Sequence, residues 1–179
     1  VIGITGSNGK TTVKEMVAAI LRKATWIKES SVVQQNDPVL ATEGNLNNDI
    51  GVPLMLLRLR QHHQYAVFEM GMNHIGEIAY LTQLVKPDVA LITNAGNAHI
   101  EGLGSIEAVA RAKAEIFQGL RHQGTAIINA DDTYAPLWRD YASSYPKIDF
   151  GLRQPAQISA TYQMNALTSQ MQLKLPDGE

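Results

Sequence analysis

Ile4-Thr5-Gly6-Ser7-Asn8-Gly9-Lys10-Thr11-Thr12 is a glycine-rich turn set between two different hydrophobic periods. Before it stands Val1-Ile2-Gly3-Ile4, apolar and β-branched as a buried strand is; after it the spacing becomes helical as far as Arg22. A glycine-rich turn from a strand into a helix is the setting of a phosphate-binding loop. Its backbone N–H groups form an anion nest, and the helix adds the positive end of its dipole. Gly6 and Gly9 let the backbone approach a ligand, Lys10 reaches the β and γ phosphates, and Thr11 offers its hydroxyl to Mg²⁺. The nucleotide-gripping set is therefore Thr5, Gly6, Ser7, Asn8, Gly9, Lys10, Thr11 and Thr12. The full pattern has a glycine five positions before Gly9, where this chain has Ile4, so the match is to the shortened form Gly-x-x-Gly-Lys-Thr. The plainer alternative is a glycine-rich turn carrying a solvated lysine. Strand, helix and Lys-Thr-Thr together favour a nucleoside triphosphate.

Outward from this loop, short β-branched runs alternate with helix-period segments. That is the pattern of βα units around a mostly parallel sheet, an α/β class. Strands are predicted at 1–5, 39–42, 65–70, 88–93, 125–129 and 147–150. Helices are predicted at 12–22, 53–59, 76–84, 106–120 and 132–141, with Ser105 as N-cap of the fourth. The polar stretch 25–38 ends in Asn-Asp-Pro and reads as a long, mobile loop or hairpin. Two alternating runs, 158–164 and 171–175, read as an antiparallel pair beside the main sheet.

The chain has 179 residues, which suits one α/β domain. A net charge of -2 excludes the basic excess of a protein that holds nucleic acid by its backbone. There is no cysteine, hence no disulfide framework and no thiolate metal site, which fits a reducing, cytoplasmic setting. No apolar run is long enough to cross a bilayer. The chain starts abruptly at the strand that enters the loop, which suggests that preceding residues were cut away.

A metal needs an acid as well as a hydroxyl. Tyr65-Ala66-Val67-Phe68-Glu69 puts a carboxylate at the C-terminal end of a strand, the edge where open α/β sheets take their ligands. A solvated strand-end acid is the alternative for Glu69. The base-reading motif of GTPases, Asn-Lys-x-Asp, does not occur, so ATP is preferred over GTP. In 129–132, Asn-Ala-Asp-Asp either approaches nucleotide or supplies Asp132 as a helix N-cap.

Thr5-Gly6-Ser7-Asn8-Gly9-Lys10-Thr11 resembles the Mur ligases of peptidoglycan synthesis, whose central domains carry Thr-Gly-x-Asn-Gly-Lys-Thr after the first strand. The resemblance spans essentially the whole chain. Gly44-Asn45-Leu46-Asn47-Asn48-Asp49-Ile50-Gly51-Val52-Pro53 and Glu69-Met70-Gly71-Met72-Asn73-His74-Ile75-Gly76-Glu77-Ile78 look like the members that join D-alanyl-D-alanine to the UDP-N-acetylmuramoyl tripeptide. Related folylpolyglutamate synthases share the loop but lack the Gly-Asn-Leu-Asn-Asn run. Ala98-His99-Ile100-Glu101, continuing to Ala112-Lys113-Ala114-Glu115-Ile116-Phe117, also matches the ligase pattern.

The resemblance implies an ATP-dependent, monomeric carboxylate-amine ligase with catalytic residues Lys10, Glu69, His99 and Lys113. One Mg²⁺ would sit near Thr11 and Glu69 and a second near His99, with Lys113 carbamylated into an anionic, oxygen-bearing group. Alone, Lys113 would read as a solvated helix lysine, and His99 as a ligand or an ordinary hydrogen-bonding group. Asn45, Asn47 and Asn48 suit a polar peptide or sugar substrate, although asparagines also satisfy tight loops. Asn73 and His74 would line the same crevice. The family also implies an N-terminal domain for the UDP end and a C-terminal domain for the amine, with residues 1–179 as the central domain; the chain alone is then expected not to complete ligation. Readings from other classes are a P-loop kinase or NTPase and a regulatory nucleotide-binding module.

Overall fold

Alternating β-branched runs and amphipathic segments give eight strands and six α-helices in a computed structural model, which describes residues 1–28, 36–98, 100–165 and 168–176. The strands are β1 (Ile2–Thr5), β2 (Val39–Ala41), β3 (Tyr65–Glu69), β4 (Val89–Ile92), β5 (Thr125–Asn129), β6 (Lys147–Gly151), β7 (Ile158–Met164) and β8 (Ser169–Lys174). The α-helices are α1 (Lys10–Lys28), α2 (Gly51–Leu56), α3 (Glu77–Val85), α4 (Ile100–Leu103), α5 (Ile106–Ala114) and α6 (Ala135–Tyr141).

All eight strands form one sheet in the order β2-β3-β1-β4-β5-β6-β7-β8. Neighbours pair in parallel from β2 through β7, and only β7 and β8 run antiparallel. The late pair thus extends the main sheet, through Phe150 opposite Ile158, rather than lying apart from it. Strand alternation divides the core between the two faces. Ala66 and Phe68 of β3 join Val52, Met55, Ile78, Leu81, Val109, Phe117 and Trp138 on the face covered by α2, α3, α5 and α6. Val67 points the other way, onto Ile4, Val39 and Ala18 beneath α1.

Three expectations are corrected. Helix α1 begins at Lys10 and runs to Lys28, so 25–28 is helical and not loop; Thr25 is tolerated inside because its buried hydroxyl donates to Leu21 O at 2.9 Å. Residues 29–35 of that expected loop lie outside the described residues. The single helix expected over 106–120 ends at Ala114 and tightens into a 3₁₀ turn, Glu115–Gly119. This turn packs hard on α3: Thr82 Oγ1 donates to Ile116 O at 2.8 Å, and a Cβ on Gly119 would stand 2.3 Å from Thr82 O. Asp132 does not cap α6, which starts three residues later with Pro136 in its first turn. Its carboxylate instead accepts from Tyr134 N and Ala95 N, each at 2.8 Å, and ties two loops together. Ser105 caps α5 as expected, accepting from Ala108 N at 3.1 Å.

Candidate active site

The strand order places β1 between β3 and β4, and the chain turns from β1 into α1 at the C-terminal edge of the sheet, where open α/β folds bind ligands. Residues 5–12 are anchored on both sides. Thr5 Oγ1 donates to Met70 O at 2.9 Å, beyond β3. On the β4 side, Ser7 N donates to Asn94 O and Asn8 N to Asn94 Oδ1, both at 2.9 Å. Asn8 O accepts from Thr93 Oγ1 at 2.7 Å and from Asn94 Nδ2 at 3.0 Å, and Gly96 N donates to Ser7 Oγ at 2.9 Å.

These bonds narrow the anion nest. The Ser7 and Asn8 N–H groups are engaged within the protein, and Val13 N is the first helical donor to close, on Gly9 O at 2.9 Å. The N–H groups of Lys10, Thr11 and Thr12 precede that closure and form the electropositive start of a 19-residue helix. Gly6 is required by close approach: an added Cβ would stand 1.8 Å from Thr93 Oγ1. Gly9 is required by its backbone, at φ +79°. Lys10 Nζ donates to Gly6 O at 2.8 Å, curling over the loop, and burial lowers its pKa against the opposing pull of Glu69.

Glu69, only 2% exposed, receives the Thr11 hydroxyl on Oε2 and the Asn47 amide on Oε1, each at 2.8 Å. Its own N–H donates to Thr42 Oγ1 at 3.0 Å. A hydroxyl and a carboxylate beside a helix N-terminus make a hard-oxygen set suited to Mg²⁺, which keeps several waters or phosphate oxygens of its own. No group of three or more acidic, His or Cys side chains able to hold a metal occurs among the described residues.

Lys113 is 1% exposed, and burial, helped by the charge of Lys10, lowers its pKa to about 7. Two residues on, the buried Glu115 carboxylate accepts from Gly76 N at 2.9 and 3.1 Å and from Ala79 N at 3.1 Å, which caps α3 from another element. Asn73 and His74 stand just ahead of that helix and are both bound by Glu77: Asn73 N donates to Oε2 at 2.6 Å, and His74 Nδ1 lies 2.7 Å from Oε1.

The structure thus brings Lys10, Thr11, Glu69 and Asn47 together, with Lys113 near enough to feel Lys10. Asn45 is exposed in the same loop, and Asn48 turns inward to the chain, accepting from Gly51 N at 2.8 Å to start α2. His99 lies outside the described residues. Sequence reasoning missed the clamp of Thr93, Asn94 and Gly96, although Thr93 ends a predicted strand at the ligand-binding edge and Asn94 follows it, a usable signal.

A model of the Mur ligase middle domain matches residues 4–178. The chain belongs to the Mur ligase family. Among the relatives of this Mur ligase domain, the UDP-N-acetylmuramoyl-tripeptide–D-alanyl-D-alanine ligase of Haemophilus influenzae is 49% identical over 144 residues, 80% of this chain and 30% of that protein. A crystal structure of MurF from Acinetobacter baumannii superposes with a TM-score of 0.85 at 42% identity, over 99% of this chain and 36% of the other. MurF ligase from Thermotoga maritima, solved in complex with ADP, superposes with a TM-score of 0.81 at 27% identity, over 99% and 38%. The Mur ligase domain therefore spans about a third of the length of the relatives it matches. No helix among the described residues is long and apolar enough to cross a membrane.

Proposed function

We propose that this Mur ligase domain binds MgATP on residues 5–12 and serves the ATP-dependent addition of D-Ala-D-Ala to a UDP-N-acetylmuramoyl tripeptide, as the central part of a cytoplasmic, monomeric enzyme. The observation that carries the reading is the Thr11–Glu69 contact beside the open start of α1, held by bonds from both neighbouring strands. The Mur ligase context and the named activity of relatives at 42–49% identity supply the substrate.

In this reading the terminal carboxylate of the tripeptide attacks the γ phosphorus of ATP. The bond to the bridging oxygen breaks, ADP leaves, and an acyl phosphate forms. The amine of D-Ala-D-Ala then attacks the acyl carbon, an amide forms, and phosphate and a proton are released. Lys10 uncurls from Gly6 O to meet the β and γ phosphates, and the first N–H groups of α1 hold them from the other side. Mg²⁺, held through Thr11 and Glu69, would offset the negative charge of the triphosphate. Asn45, Asn47, Asn73 and His74 form the polar wall toward the tripeptide, while Asn48 shapes the loop that carries them.

Carbamylation of Lys113 belongs to the same proposal. A carbamate forms only from a neutral amine, and burial lowers the pKa of Lys113 to about 7, which makes the neutral amine far more accessible at neutral pH than in a solvated lysine. As an ammonium it would repel a cation; as a carbamate it would offer oxygens to a second Mg²⁺, for which His99 is the other residue proposed to hold it.

Calorimetric titration with a non-hydrolysable ATP analogue and with UDP-N-acetylmuramoyl tripeptide, separately and together, tests the function. Mg²⁺-dependent binding of the analogue, and a tripeptide that binds the nucleotide-loaded domain, are expected. Nucleotide binding with no response to the tripeptide would favour an NTPase or regulatory module instead.

A further inference from the structure

Lys14 lies one turn after Lys10 on α1, yet it is 1% exposed and none of the chemistry above uses it. A lysine is almost never fully buried unless its charge is paired. Its ammonium donates to Thr42 O at 2.5 Å and lies 2.7 Å from the carboxylate of the exposed Glu15. Thr42, itself 2% exposed, is the first residue after β2 and is held at three atoms. Its N–H donates to Val67 O at 3.0 Å, its hydroxyl accepts from Glu69 N at 3.0 Å, and its carbonyl accepts from Lys14. From Thr42 the chain continues to Asn47, whose amide holds Glu69 Oε1. Two of the anchors on Glu69 therefore run through the segment that Lys14 fixes, and the third, Thr11, stands on the same helix as Lys14.

We propose that Lys14 is a positioning residue for the cation site: by clamping Thr42 O to α1, it sets the separation of Thr11 from Glu69. The inference rests on reading that pair as the place where Mg²⁺ is held. Thr11 and Lys14 are three residues apart and so share a face of α1. A rigid helix thus carries both the hydroxyl that would ligate and the ammonium that grips Thr42, the residue after β2 whose hydroxyl holds the N–H of the acid at the end of β3. Mg²⁺ tolerates little departure from octahedral geometry, so a small shift of α1 against β2 and β3 is felt at the ion. A purely packing role would lower the melting temperature and leave the ion's affinity untouched.

The test is nucleotide binding measured against Mg²⁺ concentration, by calorimetry with a non-hydrolysable ATP analogue, on wild type, Lys14→Met and Lys14→Arg well below their melting temperatures. Loss of a partner bonded directly to a metal ligand typically weakens metal affinity 10- to 100-fold, and Lys14 acts one residue further out through Thr42, so Lys14→Met should raise the half-saturating Mg²⁺ concentration about tenfold, the low end of that range. Affinity for the analogue without Mg²⁺ should stay within about twofold, because no phosphate contact is removed. Lys14→Arg, which keeps a donor, should recover part of the loss. An unchanged Mg²⁺ midpoint in folded Lys14→Met overturns the proposal. If that variant does not fold, Lys14→Gln, too short to reach Thr42 O in the same way, replaces it with the same two outcomes. Wild-type binding that does not depend on Mg²⁺ would overturn the cation-site reading itself, a result distinct from a normal wild type with an indifferent Lys14 variant.

Discussion

The Thr11 hydroxyl donates to Glu69 Oε2 at 2.8 Å, joining the first turn of α1 to the end of β3 across the candidate active site. The other carboxylate oxygen is occupied by Asn47, so both neighbours of Glu69 are donors. Glu69→Gln keeps the shape but sets an NH₂ group against one of them. A hydrogen bond to a charged group is worth about 1.5–3 kcal/mol, so Mg²⁺-dependent nucleotide affinity should fall roughly 10- to 100-fold. Circular dichroism should report an unchanged fold, and an unaltered Mg²⁺ dependence by calorimetry would count against the assignment of Glu69.

The two loop glycines should behave differently. At Gly6 an added methyl would meet Thr93 Oγ1 at 1.8 Å, so Gly6→Ala must break the Thr93–Asn8 bond and should destabilise by about 2–3 kcal/mol. At Gly9 the space is open and only the left-handed backbone objects, so Gly9→Ala should cost about 1 kcal/mol. Urea unfolding of the two variants measures the difference, and equal losses would show that the β4 clamp does not hold the loop.

Much of this site was legible in the sequence because it uses strand ends and one short motif. Residues 5–12 and Glu69 announce themselves by following apolar strands at the ligand-binding edge, and Ser105 by preceding a helical period. Other features depend on contacts distant in sequence and have no local signature. Lys14 reads as an ordinary polar position on a helix until Thr42 O is seen above it, and Glu115 as a surface acid until it reaches Gly76. Helix α1 outruns its expected end, and Thr25 within that extension is buried with its hydroxyl turned back onto Leu21 O, a contact that polar composition does not reveal. Asp132 has the local look of an N-cap, and only its bond to Ala95 explains why it serves as a tie.

Glu115 provides a stability prediction. It accepts from the Gly76 and Ala79 N–H groups and complements the positive end of α3, so Glu115→Gln should cost about 1–2 kcal/mol in urea unfolding. Because those bonds also fix the turn carrying Asn73 and His74, weaker tripeptide binding should accompany it.

Lys113 gives a pH dependence with a definite sign. Its pKa falls from 10.5 to about 7 on folding, so between these values the unfolded chain holds a proton that the native chain does not. Unfolding free energy should therefore rise with pH from about 7 to 10.5, and the contribution is lost as pH falls through about 7. In CO₂-free buffer the wild type should gain on Lys113→Met across this window; a flat difference would mean that Lys113 is not held neutral. With ¹³C-bicarbonate added, a carbamate carbon signal should appear in the wild type and be missing from Lys113→Met.

Binding of a non-hydrolysable ATP analogue with Mg²⁺ to wild type and to Lys10→Ala, measured by isothermal calorimetry on folded protein, tests most directly whether residues 5–12 grip nucleotide phosphates. Lys10 is the loop's own cation, half-buried, with its ammonium donating to Gly6 O. The expected result is saturable binding by the wild type and none detectable by Lys10→Ala, with the two melting temperatures close together. Equal affinity in the two proteins would contradict the assignment of the loop and, with it, the ligase mechanism built upon it.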